Sequence, residues 1–296
     1  IICLVASRTP KSTSGATEFL LRRLIRIAPI YYVYTGLVIV AVITFGERMD
    51  NTDINAWRIV SSVFFIPSLD ETGSFRPLLA QGWTLNYEMF FYLIYAVAIL
   101  MAVKWRGLIV TGLLLCAFLL CLTLSPLFDV ARFYASDIIF EFTYGIGAYY
   151  LINRFGNVPR AGQVALGAIG FAALLTLPSF VDGPRALVQG IPAAMIVVAF
   201  ALNASSAPKW QWLEILGDAS YSLYLSHPFV INVFAIAAGA FTGMNWLLFC
   251  VLAGLASVVF SVFSFLFVER PITISLRDLT STKRRSPSPH TLTPLR

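Results

Sequence analysis

Charge is scarce in this chain. Only 12% of its 296 residues are Asp, Glu, Lys or Arg, about half the share of a soluble domain, so the polar surface a soluble fold needs is missing. Histidine occurs twice, at His227 and His290, too rarely for a histidine-rich metal centre. Cys3, Cys116, Cys121 and Cys250 all fall in apolar stretches and form no Cys-x-x-Cys pair. They read as small core residues, not as disulfides or metal ligands, and no metal is expected. Walker loops, Gly-x-Gly-x-x-Gly and zinc-ligand spacings are absent, as is any repeat of fixed period or any stretch with the composition of a soluble domain.

What is present is hydrocarbon: 58% of the residues are hydrophobic. The apolar segments are long enough to cross a bilayer, which takes about 20 residues each. The expected fold is all-α, a polytopic transmembrane helix bundle of about eight full spans. They are placed near 28–45, 83–103, 107–124, 138–152, 162–178, 187–203, 217–239 and 246–268. Ile1 to Ala6 is too short to span and is expected to be the end of a preceding helix. The connection over 46–82 is the longest and holds the apolar patch Val63-Phe64-Phe65-Ile66-Pro67, read as a half-helix or an interfacial segment.

The net charge of +6 argues for topology and not for nucleic acid. In the eight-span arrangement, 16 of the 21 basic residues fall on one side and five, Arg48, Arg58, Arg76, Arg132 and Arg185, on the other. The positive-inside rule assigns the larger set to the cytoplasm. Residues 271–296, rich in Ser, Thr, Pro and basic side chains, read as a disordered cytoplasmic tail able to touch anionic lipid.

Three constellations can carry chemistry. Arg22, Arg23 and Arg26 lie three or four residues apart before Pro29 and share a helical face. They suit either a phosphate-rich ligand or a positive-inside anchor on lipid headgroups, with Pro29 predicting a kink. Next, Gly82-Trp83-Thr84-Leu85-Asn86-Tyr87-Glu88 opens an apolar run and sets a carboxylate about 8 Å into a span. Thr84, Glu88, Tyr92 and Tyr95 share its face. An ionisable group there is either a functional acid, base or orienter, or a structural carboxylate satisfied by tyrosines or an arginine. Third, Leu216-Gly217-Asp218-Ala219-Ser220-Tyr221-Ser222-Leu223-Tyr224-Leu225-Ser226-His227-Pro228 places His227 about 15 Å into a span, with Ser220 and Tyr224 on its face. Pro228 frees the Tyr224 carbonyl, which hydroxyls or water can satisfy. His227 is then either an interhelical hydrogen-bonding group or part of a reactive site. Ser226 and His227 are adjacent and point apart, so they are no triad. A second carboxylate, Glu141, has Asp137 and Tyr144 on its face, and Arg76 or Arg132 is the expected partner if it is structural.

In order along the chain, these segments resemble the acyltransferase-3 family of integral membrane O-acyltransferases. Arg23 and Arg26 stand as its Arg-x-x-Arg motif. Trp83-Thr84-Leu85 with Glu88 and Phe91-Tyr92 is similar to its Trp-[ST]-Leu-x-x-Glu signature, and Phe142 with Gly145 to its Phe-x-x-Gly helix. Leu216-Gly217 through His227 is similar to its late-helix signature, and Glu269-Arg270-Pro271 to its Glu-[RK]-Pro exit. The resemblance implies a transmembrane acyltransferase domain over 1–270 in a bacterial inner (plasma) membrane. It implies transfer of an acyl group, acetyl above all, from acyl-CoA to a hydroxyl of an exopolysaccharide, a lipopolysaccharide O-antigen or a lipid-linked saccharide. Arg23 and Arg26 would bind the CoA phosphates and Glu88 and His227 would be catalytic. Trp83, Tyr92, Glu141, Ser220 and Tyr224 would contact substrate. The family's first span, with a basic residue and a histidine treated as the catalytic base, and the Ser-Gly-Phe-like motif of its second are expected to precede Ile1. Two other classes stay open: a proton-coupled transporter or flippase using Glu88 and His227 as a relay, and an inactive scaffold. Oligomeric state, acyl group and acceptor stay open too.

The topology is tested by cysteines placed at Asp53 and Ser281, which should react with an impermeant reagent from opposite faces of sealed vesicles. Reaction of both from one face would rule it out.

Overall fold

The computed structural model describes residues 2, 9–46, 54–101, 105–155, 158–202, 210–239 and 245–282. Expectations for 1–8 apart from Ile2, for Glu47 to Asp53 and for 283–296 with His290 lie outside the described residues. Helices α1 (Thr13–Phe45), α2 (Ala56–Val63), α3 (Trp83–Met101), α4 (Arg106–Leu124), α5 (Asp129–Tyr134) and α6 (Ile139–Arg154) are followed by α7 (Arg160–Phe180), α8 (Ile191–Ala201), α9 (Gln211–Asp218), α10 (Ser220–Gly239), α11 (Trp246–Ser264) and α12 (Arg270–Thr282). A 3-10 turn over Ala80–Gly82 leads into α3, and π turns over Ala186–Gly190 and Phe265–Glu269 lead into α8 and α12. The described residues contain no β-strand, only an isolated bridge between Leu69 and Phe75.

The all-α expectation holds, and helix occupies each expected span. Five stretches are both long and apolar enough to cross a membrane: Thr13–Phe45, Ala80–Met101, Arg106–Leu124, Arg160–Phe180 and Trp246–Thr280. The apolar helix over Ala186–Ala201 is shorter, α6 has 16 residues, and α10 carries Ser, Tyr and His along its first turns. The first span is part of a longer helix than expected. Ser12 caps α1, its Oγ accepting from Gly15 N at 2.9 Å, and the helix runs 33 residues through Pro29, about 50 Å. The arginines thus sit on a helix and not in a connecting loop. Helix α12 occupies the first part of the stretch whose composition reads as a tail.

The chain divides into two compact units, Ile1–Leu20 with Leu37–Lys209 and Leu21–Gly36 with Trp210–Arg296. In the first, α3 packs on α4, α4 on α5 and α6, α6 on α8, and α7 on α8. Its core holds Tyr87, Phe133 and Tyr134, packed against Phe75, Trp83, Phe90 and Phe142. Tyr87 and Phe133 stack at 4.3 Å and Phe90 and Tyr134 at 4.3 Å between ring centroids. In the second, α10 packs on α11 and α9 on both.

Small residues let membrane helices approach closely. A Cβ on Gly170 of α7 would stand 2.9 Å from the Pro192 carbonyl oxygen and 3.0 Å from Met195 Cβ of α8. Gly170→Val should therefore force the two helices apart and lower stability by about 1–3 kcal/mol, the usual cost of overpacking. Unfolding of detergent-solubilised protein measures this; unchanged stability would show that α7 and α8 separate freely.

Candidate functional site

Each unit carries its own polar constellation. In the first, the Trp83 start of α3 aims Thr84, Glu88, Tyr92 and Tyr95 along one side, as the spacing predicts. The Tyr92 hydroxyl donates to Glu88 Oε1, one helical turn away. Glu88 is half-buried while Tyr92 and Tyr95 are buried, with Phe19 packed on both rings at 6.0 and 5.5 Å. Trp83 is half-buried and meets Tyr87 edge-on at 6.2 Å.

The second carboxylate cluster of this unit differs from expectation. Glu141 Oε1 pairs with Arg185 Nε at 3.1 Å, and not with Arg76 or Arg132. Arg132 is taken by Asp129 at 2.9 Å and lies over the Phe75 ring. Asp137, one turn before Glu141, accepts from Ala186 N at 2.7 Å and so caps the π turn that follows Arg185. A Cβ on Gly190, which ends that turn, would stand 3.0 Å from the Tyr144 ring and 3.3 Å from Glu141 Cγ. The missing side chain is what lets the turn lie against α6. Glu141 and Arg185 are both partly exposed, and such a pair contributes about 0–1 kcal/mol. Its carboxylate oxygens and guanidinium can still orient a polar ligand.

In the second unit, His227 sits half-buried on α10. Its Nδ1 lies 2.8 Å from the Tyr224 carbonyl and 3.2 Å from that of Leu223. Carbonyls only accept, so Nδ1 carries the hydrogen and the Nε2 of the neutral ring keeps its lone pair. The carbonyl that Pro228 frees is thus satisfied by the neighbouring imidazole, and not by a hydroxyl. Tyr224 is half-buried with its ring 6.3 Å from that of His227, while Ser220 is exposed at the start of the helix. Arg22 and Arg26 are exposed and Arg23 half-buried, on the turns of α1 that precede Ile27. The Tyr221 hydroxyl donates to the Ile27 carbonyl at 3.1 Å, which ties α10 to the arginine-bearing turns.

Sequence reasoning missed the most buried carboxylate. Glu269 is 6% exposed, and its Oε2 accepts from Ser222 Oγ at 2.6 Å. Ser264 Oγ donates to Ser222 Oγ at 3.4 Å, so the 2.7 Å contact between Tyr34 and Ser264 has the tyrosine as donor. The result is a directed chain, Tyr34 to Ser264 to Ser222 to Glu269, each hydroxyl polarising the next. The charges of Arg26 and Asp218 act on the same carboxylate. The available signal was the Glu269-Arg270-Pro271 motif closing an apolar run; its partners on α10 had none.

Residues 3–266 match the family profile described as "Acyltransferase domain". The chain belongs to the acyltransferase-3 family. The exopolysaccharide production protein ExoZ of Rhizobium meliloti (strain 1021) is 30% identical over 263 residues, 86% of this chain and 80% of that one. No solved structure matches. The polar groups available for chemistry are the His227 imidazole, the Glu88 and Glu269 carboxylates held by hydroxyls, and the guanidiniums on α1. Among the described residues, no three His, Cys, Asp or Glu side chains gather as metal ligands.

Ser222→Ala should remove the donor to Glu269 and cost about 1.5–3 kcal/mol, the scale of a hydrogen bond to a charged group. Thermal unfolding in detergent measures it. A wild-type midpoint would mean that Glu269 finds another donor.

Proposed function

We propose that this acyltransferase moves an acyl group, acetyl above all, from acyl-CoA to a hydroxyl of an exopolysaccharide or other exported glycan, working in a bacterial inner membrane with eight spans. The family match over residues 3–266 carries the reading, and the likeness to an exopolysaccharide production protein supports the acceptor class. Arg23 and Arg26, with Arg22 beside them, take the CoA phosphates, which guanidinium forks bind bidentately. His227 lines the reacting site and offers Nε2 to a substrate proton, because Nδ1 is already committed to the Tyr224 carbonyl. Glu88, which accepts from the Tyr92 hydroxyl, is the other group that handles protons. Trp83 and Tyr92, the Glu141–Arg185 pair, and Ser220 and Tyr224 contact the acceptor.

The chemistry balances without a further reactant. A general base takes the proton of the acceptor hydroxyl as its oxygen adds to the thioester carbonyl. Collapse of the tetrahedral adduct breaks the carbon–sulfur bond, and the thiolate leaves as the thiol after taking that proton back from the base. A donor aimed at the developing oxyanion lowers the barrier further.

The test measures donor affinity and transfer per folded molecule in membranes of cells making the full gene product. Glu88→Gln and His227→Gln should fold and bind acyl-CoA but lose transfer, since neither replacement can take a proton. Arg23→Ala and Arg26→Ala should each weaken acyl-CoA binding by about 1–3 kcal/mol. Wild-type transfer in Glu88→Gln would leave Glu88 as packing only. Unchanged donor affinity in both arginine variants would leave those side chains as lipid anchors.

A further inference from the structure

Helix α2 is inside out for a segment surrounded by water. Trp57, Ile59, Val60, Val63 and Phe64 are exposed, Phe64 at 68%. Arg58, Ser61 and Ser62, on the opposite face, are buried, Arg58 at 4%. The polar face is used up internally. Ser61 Oγ donates to Ser68 Oγ at 2.9 Å, the Leu78 amide donates to Ser62 Oγ at 3.0 Å, and Arg58 Nη2 reaches the Arg76 carbonyl at 3.2 Å. The chain after α2 therefore doubles back and binds along the hydrophilic side of the helix, leaving the apolar side outward.

The reversal is built, not incidental. Ile66 N donates to the Ser61 carbonyl at 2.8 Å and Phe65 N to that of Ser62 at 3.4 Å, the paired bonds of a Schellman ending. Phe65 takes the left-handed position at φ 54, the one non-glycine residue with positive φ among those described. That conformation strains a bulky side chain, and the buried Phe65 ring holds it there. The apolar tip is thus Val63 to Ile66.

The returning strand ends in the opposite kind of surface. Asp70 Oδ1 accepts from Thr72 N, Thr72 Oγ1 and Ser74 N at 2.9, 2.6 and 2.9 Å, around Gly73 at φ 76. Partial burial pushes the Asp70 carboxyl up, but the bonds from Thr72 and Ser74 hold it below the ordinary carboxylate range. Glu71 and Thr72 beside it are exposed. A charged turn needs water; on the α2 face the indole N–H of Trp57 is the one side-chain group that water could bond.

We propose that 55–66 is the apolar arm of a re-entrant hairpin, with Val60, Val63 and Phe64 in lipid hydrocarbon, Trp57 at the interface and the Asp70–Ser74 turn in water. Eight helical residues reach about 12 Å, within one leaflet of a core about 30 Å thick. The outward face matches that of the membrane-crossing α4, which exposes Leu108, Leu115, Leu119 and Leu122. Trp57 near the start of the arm is the residue type that anchors at the interface. Contiguous apolar exposure of this kind marks a membrane or protein contact, and the lipid already required by the spans is the occupant that fits. The inference does not depend on acyl transfer.

The test places spin labels at Val60→Cys, Phe64→Cys and, as the aqueous control, Glu71→Cys, in protein whose natural cysteines are replaced by serine, reconstituted in phosphatidylethanolamine–phosphatidylglycerol vesicles. The ratio of collisions with oxygen to collisions with a polar nickel complex should be severalfold higher at 60 and 64 than at 71. Equal ratios at all three positions would overturn the proposal. So would low collision with both reagents at 60 and 64, the signature of a second copy covering the face. Wild-type protein in vesicles doped with a diazirine lipid gives a check that needs no substitution. Adducts should map to 57–64 as densely as to Arg106–Leu124, and their absence from 57–64 would likewise overturn it.

Discussion

Hydrocarbon offers no hydrogen bond, and an unsatisfied polar group in it costs several kcal/mol. With 12% charged residues, this chain has few such groups, and the structure depends on where each one finds its partner. Glu269 takes Ser222, Glu88 takes Tyr92, and Glu141 takes Arg185. Arg58 turns inward to a carbonyl, which turns its helix inside out. The pairings between elements, Glu269 with Ser222 and Glu141 with Arg185, fix the rotation of a helix about its own axis, something apolar packing against lipid-like neighbours specifies weakly. The polar residues therefore hold the helices in register, and the same residues include the groups proposed to react.

His227 and Pro228 show how local chemistry does both at once. A proline inside α10 removes an amide and leaves the carbonyl one turn earlier without its backbone partner. In water that carbonyl would hydrate; in a bundle it needs a donor. The imidazole of the preceding residue supplies one at 2.8 Å. Satisfying the backbone puts the hydrogen of the neutral ring on Nδ1 and leaves Nε2 as its acceptor nitrogen, so a structural demand of the membrane sets the tautomer.

The positions of the helices were readable because hydrophobic runs and breaks are local. So were the Thr84–Glu88–Tyr92 face and the motif order that points to the acyltransferase-3 family. The extent of α1 was not, because Ser12 caps the helix well before the apolar run begins. The partners of the carboxylates were not readable either. Arg185 is far from Glu141 along the chain, and Arg76 and Arg132 were equally plausible by charge alone. Only the packing of α6 beside the π turn decides among them. The patch Val63-Phe64-Phe65 was visible as apolar, but which side of α2 faces out depends on the returning strand, whose bonds to Ser61 and Ser62 no periodicity encodes.

The π turns explain the most consequential miss. In an α-helix, residues four apart share a face, and five residues turn about 500°, leaving the fifth about 140° off. Ser257, Ser261 and Ser264 follow the α period and are all buried. Carried onward, that period puts Glu269, five past Ser264, toward the outside. The π turn over Phe265–Glu269 closes five residues per step and brings Glu269 back to the buried face, in reach of Ser222 while Ser264 bonds the same hydroxyl. The turn over Ala186–Gly190 repeats the device. Arg185 and Gly190, five apart, both face Glu141, one through its guanidinium and the other through its missing side chain. An extra residue in a turn is invisible to hydropathy, because the run stays apolar either way. It becomes visible only when a charged side chain has to be buried and the regular helix would have pointed it outward.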